Sequence, residues 1–211
     1  MNNNSSVFLN FVSGGQRYFP TYHGCVEMSV GEVGIVMEFV GDRDTGKTIV
    51  LQDVFHTGSP VLAPKDWFSV AKDLVQAVKF VHGLGYLLND LKEDNVLLSR
   101  SGSRWQAVVI DFGWVRLQTD PTVYAFTDSV KMQYARDGLY EHVAPECALL
   151  DQVRSTVSDV FQLGRLIRLI GSKSGDQNVF KIGENCCAIS PMFRPTIAEL
   201  ELEFDRLASS H

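Results

Sequence analysis

Four side chains, Asp90, Lys92, Asn95 and Asp111, carry the chemistry this sequence can do. They lie in LLNDLKEDNVLLSRSGSRWQAVVIDFG, where NVLL and AVVI are short apolar runs separated by SRSGSRWQ. The Ser-Gly-Ser core of that separator predicts a turn, so the two runs predict an antiparallel hairpin. In a hairpin the start of the first strand lies beside the end of the second, which brings Asn95 next to Asp111. An amide oxygen and a carboxylate at one end of a hairpin suit Mg²⁺, which takes few protein ligands and keeps water or phosphate oxygens for the rest. Asp90 and Lys92 lie just upstream. One acid to orient a hydroxyl, one cation for a phosphoryl group and two metal ligands are the parts that phosphoryl transfer requires.

A second nucleotide signal competes with this one. GDRDTGKT, Gly41 to Thr48, fits GxxxxGKT, the phosphate loop of nucleotide hydrolases, and stands between VGIVMEFV and TIVLQDVF. Such a loop needs amides converging on an anion, whereas Asp42 and Asp44 would set two carboxylates against the phosphates. A P-loop NTPase is therefore the distant alternative, and a chance match the better account.

The elements that must position these residues are legible in part. Residues 7 to 40 alternate short apolar runs with Gly-rich turns, which predicts a few strands and a helical stub. After Pro64 the spacing of Trp67, Val70, Ala71, Leu74, Val78 and Val81 predicts a helix, capped by Asp66 and stopped at Gly83 and Gly85. Val160, Leu163, Ile167 and Ile170 mark a second, buried helix. Thr196 and Glu199 form a capping box for a third, with Ile197, Leu200, Phe204 and Leu207 on its inner face. The chain has 211 residues, 45% of them hydrophobic, enough for one good core. A net charge of -6 gives no electrostatic footprint for nucleic acid or an anionic membrane surface. No run of about 18 apolar residues and no signal-like N-terminus is present, and the four cysteines form no CxxC pair. The expectation is a cytoplasmic chain with reduced thiols and neither a nucleic acid nor a membrane partner.

Asp90-Leu91-Lys92-Glu93-Asp94-Asn95 resembles the catalytic loop of protein kinases, and Asp111-Phe112-Gly113, 21 positions after Asp90, resembles their metal-binding triplet. Ala144-Pro145-Glu146 is similar to the segment that closes the activation loop. Ser158-Asp159-Val160-Phe161-Gln162-Leu163-Gly164 resembles the start of the family's central buried helix, and Phe193-Arg194-Pro195-Thr196 its late arginine. The resemblance covers roughly residues 30 to 208 in the family's order. It implies an α+β, protein-kinase-like fold with a mainly helical large lobe and a reduced β small lobe. By the same resemblance Asp90 is the base, Lys92 steadies the transferring group, and Asn95 and Asp111 hold Mg²⁺. Met37, Glu38, Phe39 and Val40 would be the hinge facing the adenine of ATP. Phe112, Gly113, Glu146, Asp159 and Arg194 would serve structure, with Arg194 pairing Glu146 and Asp159 meeting the catalytic-loop backbone. A lysine two positions after the base is similar to the serine/threonine branch.

The departures shape what the resemblance implies. Residues 1 to 37 contain no lysine and no GxGxxG, and Leu88 and Asn89 stand where the family has His and Arg. Residues 1–40 are then a remnant of the small lobe, the end of helix C with strands 4 and 5, and VFLNFV would be that helix end. Residues 41–211 would be the large lobe, with a shortened stretch from Asp159 to Arg194 that leaves the substrate-docking helix reduced or missing. Two functions stand open. One is an ATP:protein phosphotransferase acting on Ser/Thr; the other is a pseudokinase or decoy that binds a partner kinase or its protein substrate. A cut small lobe also predicts self-association through uncovered strands.

Overall fold

The computed structural model describes residues 16–29, 32–41 and 45–209, so VFLNFV and Asp42 to Asp44 lie outside the described residues. Strands β1 (Tyr22–Ser29) and β2 (Glu32–Met37) pair antiparallel, with Tyr22 opposite Met37 and Ser29 opposite Glu32. The Glu38 amide extends this ladder by donating to the Thr21 carbonyl at 2.7 Å. Helix α1 (Leu51–Thr57) follows, then α2 (Pro64–Gly83), β3 (Tyr86–Leu87) and a single 3-10 turn over Glu93–Asn95. Strands β4 (Val96–Ser101) and β5 (Arg104–Val109) form the expected hairpin, and β6 (Arg116–Leu117) pairs back onto β3. The rest is helical: α3 (Asp128–Asp137), α4 (Pro145–Leu149), α5 (Thr156–Ser174), α6 (Gln177–Cys186), a 3-10 turn at Pro191–Phe193, and α7 (Ile197–Ala208).

Pro64 starts α2 because its missing N–H is one the first turn leaves unbonded anyway. Asp66 is not the cap itself. It stands at the third helical position and accepts from the Ala63 amide at 3.3 Å, so the carboxylate meets the positive end of the helix from inside the first turn. The six apolar positions read from the spacing are all buried and form the centre of the main core with Leu163, Ile167 and Ile170 of α5 and Leu200 and Phe204 of α7. Fully burying a side chain such as Val70 or Leu74 is worth about 1.5–3 kcal/mol, so the face of α2 is a substantial contribution to this layer. The capping box of α7 closes as the sequence predicts, with Thr196 Oγ1 accepting from the Glu199 amide at 3.3 Å and Glu199 Oε2 accepting from the Thr196 amide at 2.7 Å.

The shortened stretch between Asp159 and Arg194 holds one helix, α6, laid tightly along α5. Gly171 and Gly183 permit this approach: a Cβ on Gly171 would run into the Phe180 backbone, and one on Gly183 into that of Arg168. On the other side of the core, Asp73 of α2 is fully buried and ties three segments together. It accepts from Arg104 Nη2 at 2.6 Å, from Arg17 Nη2 at 3.2 Å and from the Ala107 amide at 3.4 Å. Burial pushes its carboxyl above the ordinary value, against the pull of the two guanidinium groups.

Candidate active site

The β4–β5 ladder runs from Ser101 opposite Arg104 to Val96 opposite Val109. One further bond, from the Ile110 amide to the Asn95 carbonyl at 2.9 Å, carries it past the strand ends. Asn95 therefore lies across from the residue just before Asp111, as the hairpin argument requires. The 3-10 turn then points the Asn95 side chain back along the loop. Its Nδ2 donates to the Asp90 carbonyl and to Asp90 Oδ2, both at 2.9 Å. Lys92 Nζ stands 3.3 Å from the same Oδ2 and 3.6 Å from Asp94 Oδ2. Three of the four chemical residues thus meet on one carboxylate.

The loop that carries Asp90 is held from beneath by α5. Asp159, buried completely, accepts from the Leu88 amide at 2.8 Å and the Asn89 amide at 2.9 Å, and faces His82 Nε2 at 3.0 Å. Ser155 caps α5 instead, which frees Asp159 for the loop. Gln162, one turn on, accepts from the Leu91 amide at 2.7 Å and donates to the Asn89 carbonyl at 2.9 Å. Arg154 Nη1 reaches that same carbonyl at 2.7 Å. Asn89 is left-handed, at φ 66°, a conformation that its short amide side chain tolerates. Leu88, where the family's histidine would be, is simply buried in the core.

Asp111 is also left-handed, at φ 63°, and exposed. Its Oδ1 accepts from the Gly113 amide at 3.0 Å, which leaves Oδ2 open. Asn95 spends both donors on Asp90, so its amide oxygen is likewise the atom left for a ligand. Two oxygens at one end of a hairpin fit a hard divalent cation that fills its remaining positions with water and phosphate. Among the described residues no group of three or more His, Cys, Asp or Glu could hold a metal ion by itself. Phe112 turns inward, edge-on to Phe19 at 5.9 Å, and Phe19 packs on Phe80 of α2 at 5.8 Å.

Glu146 and Arg194 form the buried pair that the sequence suggests. The guanidinium meets both carboxylate oxygens at 2.7 Å, donates to the carbonyls of Ala188, Val157 and Ile189, and lies 4.9 Å from the centre of the Phe161 ring. At the other end, Val40 is buried with Leu97 and Val108, an apolar floor beneath the stretch Met37–Val40. Met37 is half-buried, while Glu38 and Phe39 are exposed. Glu38 is engaged with Thr21, whose Oγ1 donates to its carboxylate at 2.9 Å. The GDRDTGKT stretch opens no helix: α1 starts only at Leu51, so the amides of a phosphate-cradling helix start are absent there among the described residues.

One residue was missed in the sequence. It is His142, whose Nε2 lies 3.1 Å from Asp90 Oδ1. The available signal was its place in the segment that closes at Glu146. Burial pushes the Asp90 carboxyl up, but the His142 hydrogen bond and the charge of Lys92 outweigh it and hold it below the ordinary value. Lys92 is driven the other way, since burial lowers it less than the charges of Asp90 and Asp94 raise it. Asp90, Lys92 and His142 line a cleft of about 600 Å³, with Trp114, Tyr124 and Arg154 on its walls.

The protein kinase domain family matches residues 21–174 of the chain. This chain belongs to the protein kinase family. A probable serine/threonine-protein kinase of Dictyostelium discoideum is 30% identical over 147 residues, covering 69% of this chain and 22% of that relative. Serine/threonine-protein kinase PknB of Mycobacterium leprae is 34% identical over 142 residues, covering 67% of this chain and 20% of the relative. PknB of Mycobacterium tuberculosis is 33% identical over 130 residues, covering 62% and 18%. This kinase domain therefore spans about a fifth of the length of these relatives. Its α+β architecture, helical with small two-stranded sheets, is that of a kinase domain with a reduced small lobe. The family uses ATP and Mg²⁺ and acts on proteins. No helix among the described residues is long and apolar enough to cross a membrane.

Proposed function

We propose that this kinase domain transfers the γ-phosphoryl of Mg-ATP to a Ser or Thr hydroxyl of a protein. The observation that carries the reading is the convergence of Asn95 Nδ2 and Lys92 Nζ on Asp90 Oδ2, at 2.9 and 3.3 Å, beside the hairpin end that presents Asp111. Asp90 orients the substrate hydroxyl and takes its proton. Lys92 offsets charge on the transferring group. The Asn95 amide oxygen and the free Asp111 carboxylate oxygen would hold the cation, which would supply positive charge against that of the phosphates. Met37 to Val40, above the Val40–Leu97–Val108 floor, receive the adenine. In this reading β1 and β2 are strands 4 and 5 of the small lobe, and residues 41 to 211 form the large lobe. The serine/threonine names of the relatives, and the lysine two positions after Asp90, support the acceptor class.

A second reading is a pseudokinase or decoy that holds a partner kinase or its substrate, and what favours it inside the chain is Leu88 and Asn89, which stand where the family has His and Arg. Nucleotide binding and transfer separate the two. Mg-ATP should raise the melting temperature of the parent, and Asp111→Asn should abolish that rise. Asp90→Asn should keep the nucleotide shift and lose transfer to dephosphorylated casein. No nucleotide effect in the parent, or transfer that survives Asp90→Asn, defeats the enzymatic reading.

A further inference from the structure

Among the described residues three buried side-chain atoms have no hydrogen-bond partner, and two of them, Asn89 Oδ1 and Arg154 Nε, belong to residues that line the cleft beside Asp90. Asn89 is 2% exposed, and its orientation is fixed: Nδ2 donates to the Trp114 carbonyl at 2.9 Å, and a flipped amide would set two oxygens face to face. Arg154 is fixed likewise, by the bond from its Nη1 to the Asn89 carbonyl at 2.7 Å. This pair therefore presents one acceptor and one donor that the fold itself leaves unused. We propose that Asn89 and Arg154 form a subsite for a side-chain carboxamide, so that the acceptor protein carries a glutamine or asparagine close to the Ser or Thr that is modified. The inference rests on the transferase reading above and deepens it by naming the side chain read beside the reacting hydroxyl.

The two atoms discriminate among side chains, because a buried polar atom left unmet is costly and a ligand that satisfies both is favoured over one that satisfies neither. A carboxylate can accept from Arg154, but it offers Asn89 Oδ1 no donor and sets oxygen against oxygen. An ammonium meets the guanidinium with like charge, and an apolar side chain leaves both atoms unmet. A hydroxyl must serve both from one oxygen. A carboxamide carries an NH₂ and a C=O in one plane. The walls suit a flat group: the Trp114 and Tyr124 rings stand edge to face with centres 5.5 Å apart, and the Arg154 guanidinium lies 5.9 and 6.0 Å from those centres. Position 89 is also where this chain departs from the family, since an arginine there has donors alone and asparagine brings an acceptor. Asn89 immediately precedes Asp90, and each residue of an extended peptide advances only about 3.3 Å, so the carboxamide belongs to a near neighbour of the acceptor residue.

The test uses the full chain with Mg-ATP and a set of peptides that share one acceptor serine, with Gln, Glu or Leu placed in turn at each flanking position. Glu has the shape of Gln without its donor. Expected at one position is a kcat/KM for the Gln peptide at least about ten-fold above those for the Glu and Leu peptides. Arg154→Lys loses Nε and Asn89→Leu loses Oδ1; once melting curves show each variant folded, that ratio should fall to within about two-fold of unity, whatever happens to the overall rate. A purely structural role would slow all the peptides alike, so the ratio decides. Absence of any position that prefers Gln, or a preference that both variants keep, overturns the subsite while transfer itself stands. Absence of transfer to every peptide overturns the transferase reading, and the subsite is then judged without turnover. The Nε–Hε NMR resonance of Arg154, assigned by its loss in Arg154→Lys, should shift with the Gln peptide and stay in place with the Leu peptide. Equal shifts, or none, overturn the subsite as well.

Discussion

Asp159→Asn tests the support beneath the catalytic loop. In the parent the carboxylate is fully buried and serves donors on both oxygens: Leu88 N and His82 Nε2 on Oδ2, Asn89 N on Oδ1. An amide can offer its oxygen to one side only, so its NH₂ must face at least one buried N–H. An orphaned buried donor and the lost charge on the remaining bonds together cost about 2–4 kcal/mol. For a chain of this size each kcal/mol moves the melting temperature about 2–4 °C, so a drop of about 5–15 °C is expected. Urea unfolding with an unchanged slope would report the same loss as free energy. Because Asn89 immediately precedes Asp90, transfer should also fall at temperatures where the variant remains folded. A loss below about 1 kcal/mol would refute the reasoning, since it would mean that the loop amides find other partners without Asp159.

Two further outcomes follow from the same geometry. The folded Asp90 carboxyl is held below its ordinary value, so its share of stability is present above the pKa it has in the unfolded chain and is lost as pH falls through the folded value. Asp90→Asn should therefore flatten the acid side of the stability–pH curve, and identical slopes in parent and variant would count against the assignment. The β1–β2 hairpin leaves Met28 72% and Val33 65% exposed, on a two-stranded sheet of a kind that is marginal by itself. Analytical ultracentrifugation at micromolar concentration should find self-association that Met28→Glu with Val33→Lys reduces. A strictly monomeric parent would remove the prediction.

The helical body and the β4–β5 hairpin were legible because their signals are local. Helical spacing fixes the buried face of α2, a capping box fixes the start of α7, and a Ser-Gly-Ser turn between two apolar runs fixes the β4–β5 hairpin. The bond from the Ile110 amide to the Asn95 carbonyl, which sets Asn95 across from the residue before Asp111, followed from that hairpin alone. Helix α3 left no comparable trace, since a helix that buries nothing has no apolar stripe to read. Helix α6 was hidden for another reason: its fit against α5 depends on glycines far apart in sequence, and close approach is a property of the pair. His142 escaped because its partner is 52 positions away, and one histidine in a loop carries no pattern.

The weight of the enzymatic reading against the decoy falls on what stability can and cannot account for. Asp159, Gln162, Glu146 and Arg194 are buried and heavily hydrogen-bonded, so any chain that keeps this fold has reason to keep them. Asn95 also earns its place structurally, by closing the turn onto Asp90. Lys92 and Asp111 differ. Lys92 pairs with the half-buried Asp90 at 3.3 Å and with the exposed Asp94 at 3.6 Å, the second of the surface kind worth about 0–1 kcal/mol, and among the described residues the exposed Asp111 accepts from the amide two residues on while adopting a left-handed backbone. Folding alone gives little reason for Asp111. A carboxylate with an open oxygen, near a candidate base anchored from below, is what phosphoryl transfer needs and what a binding surface does not.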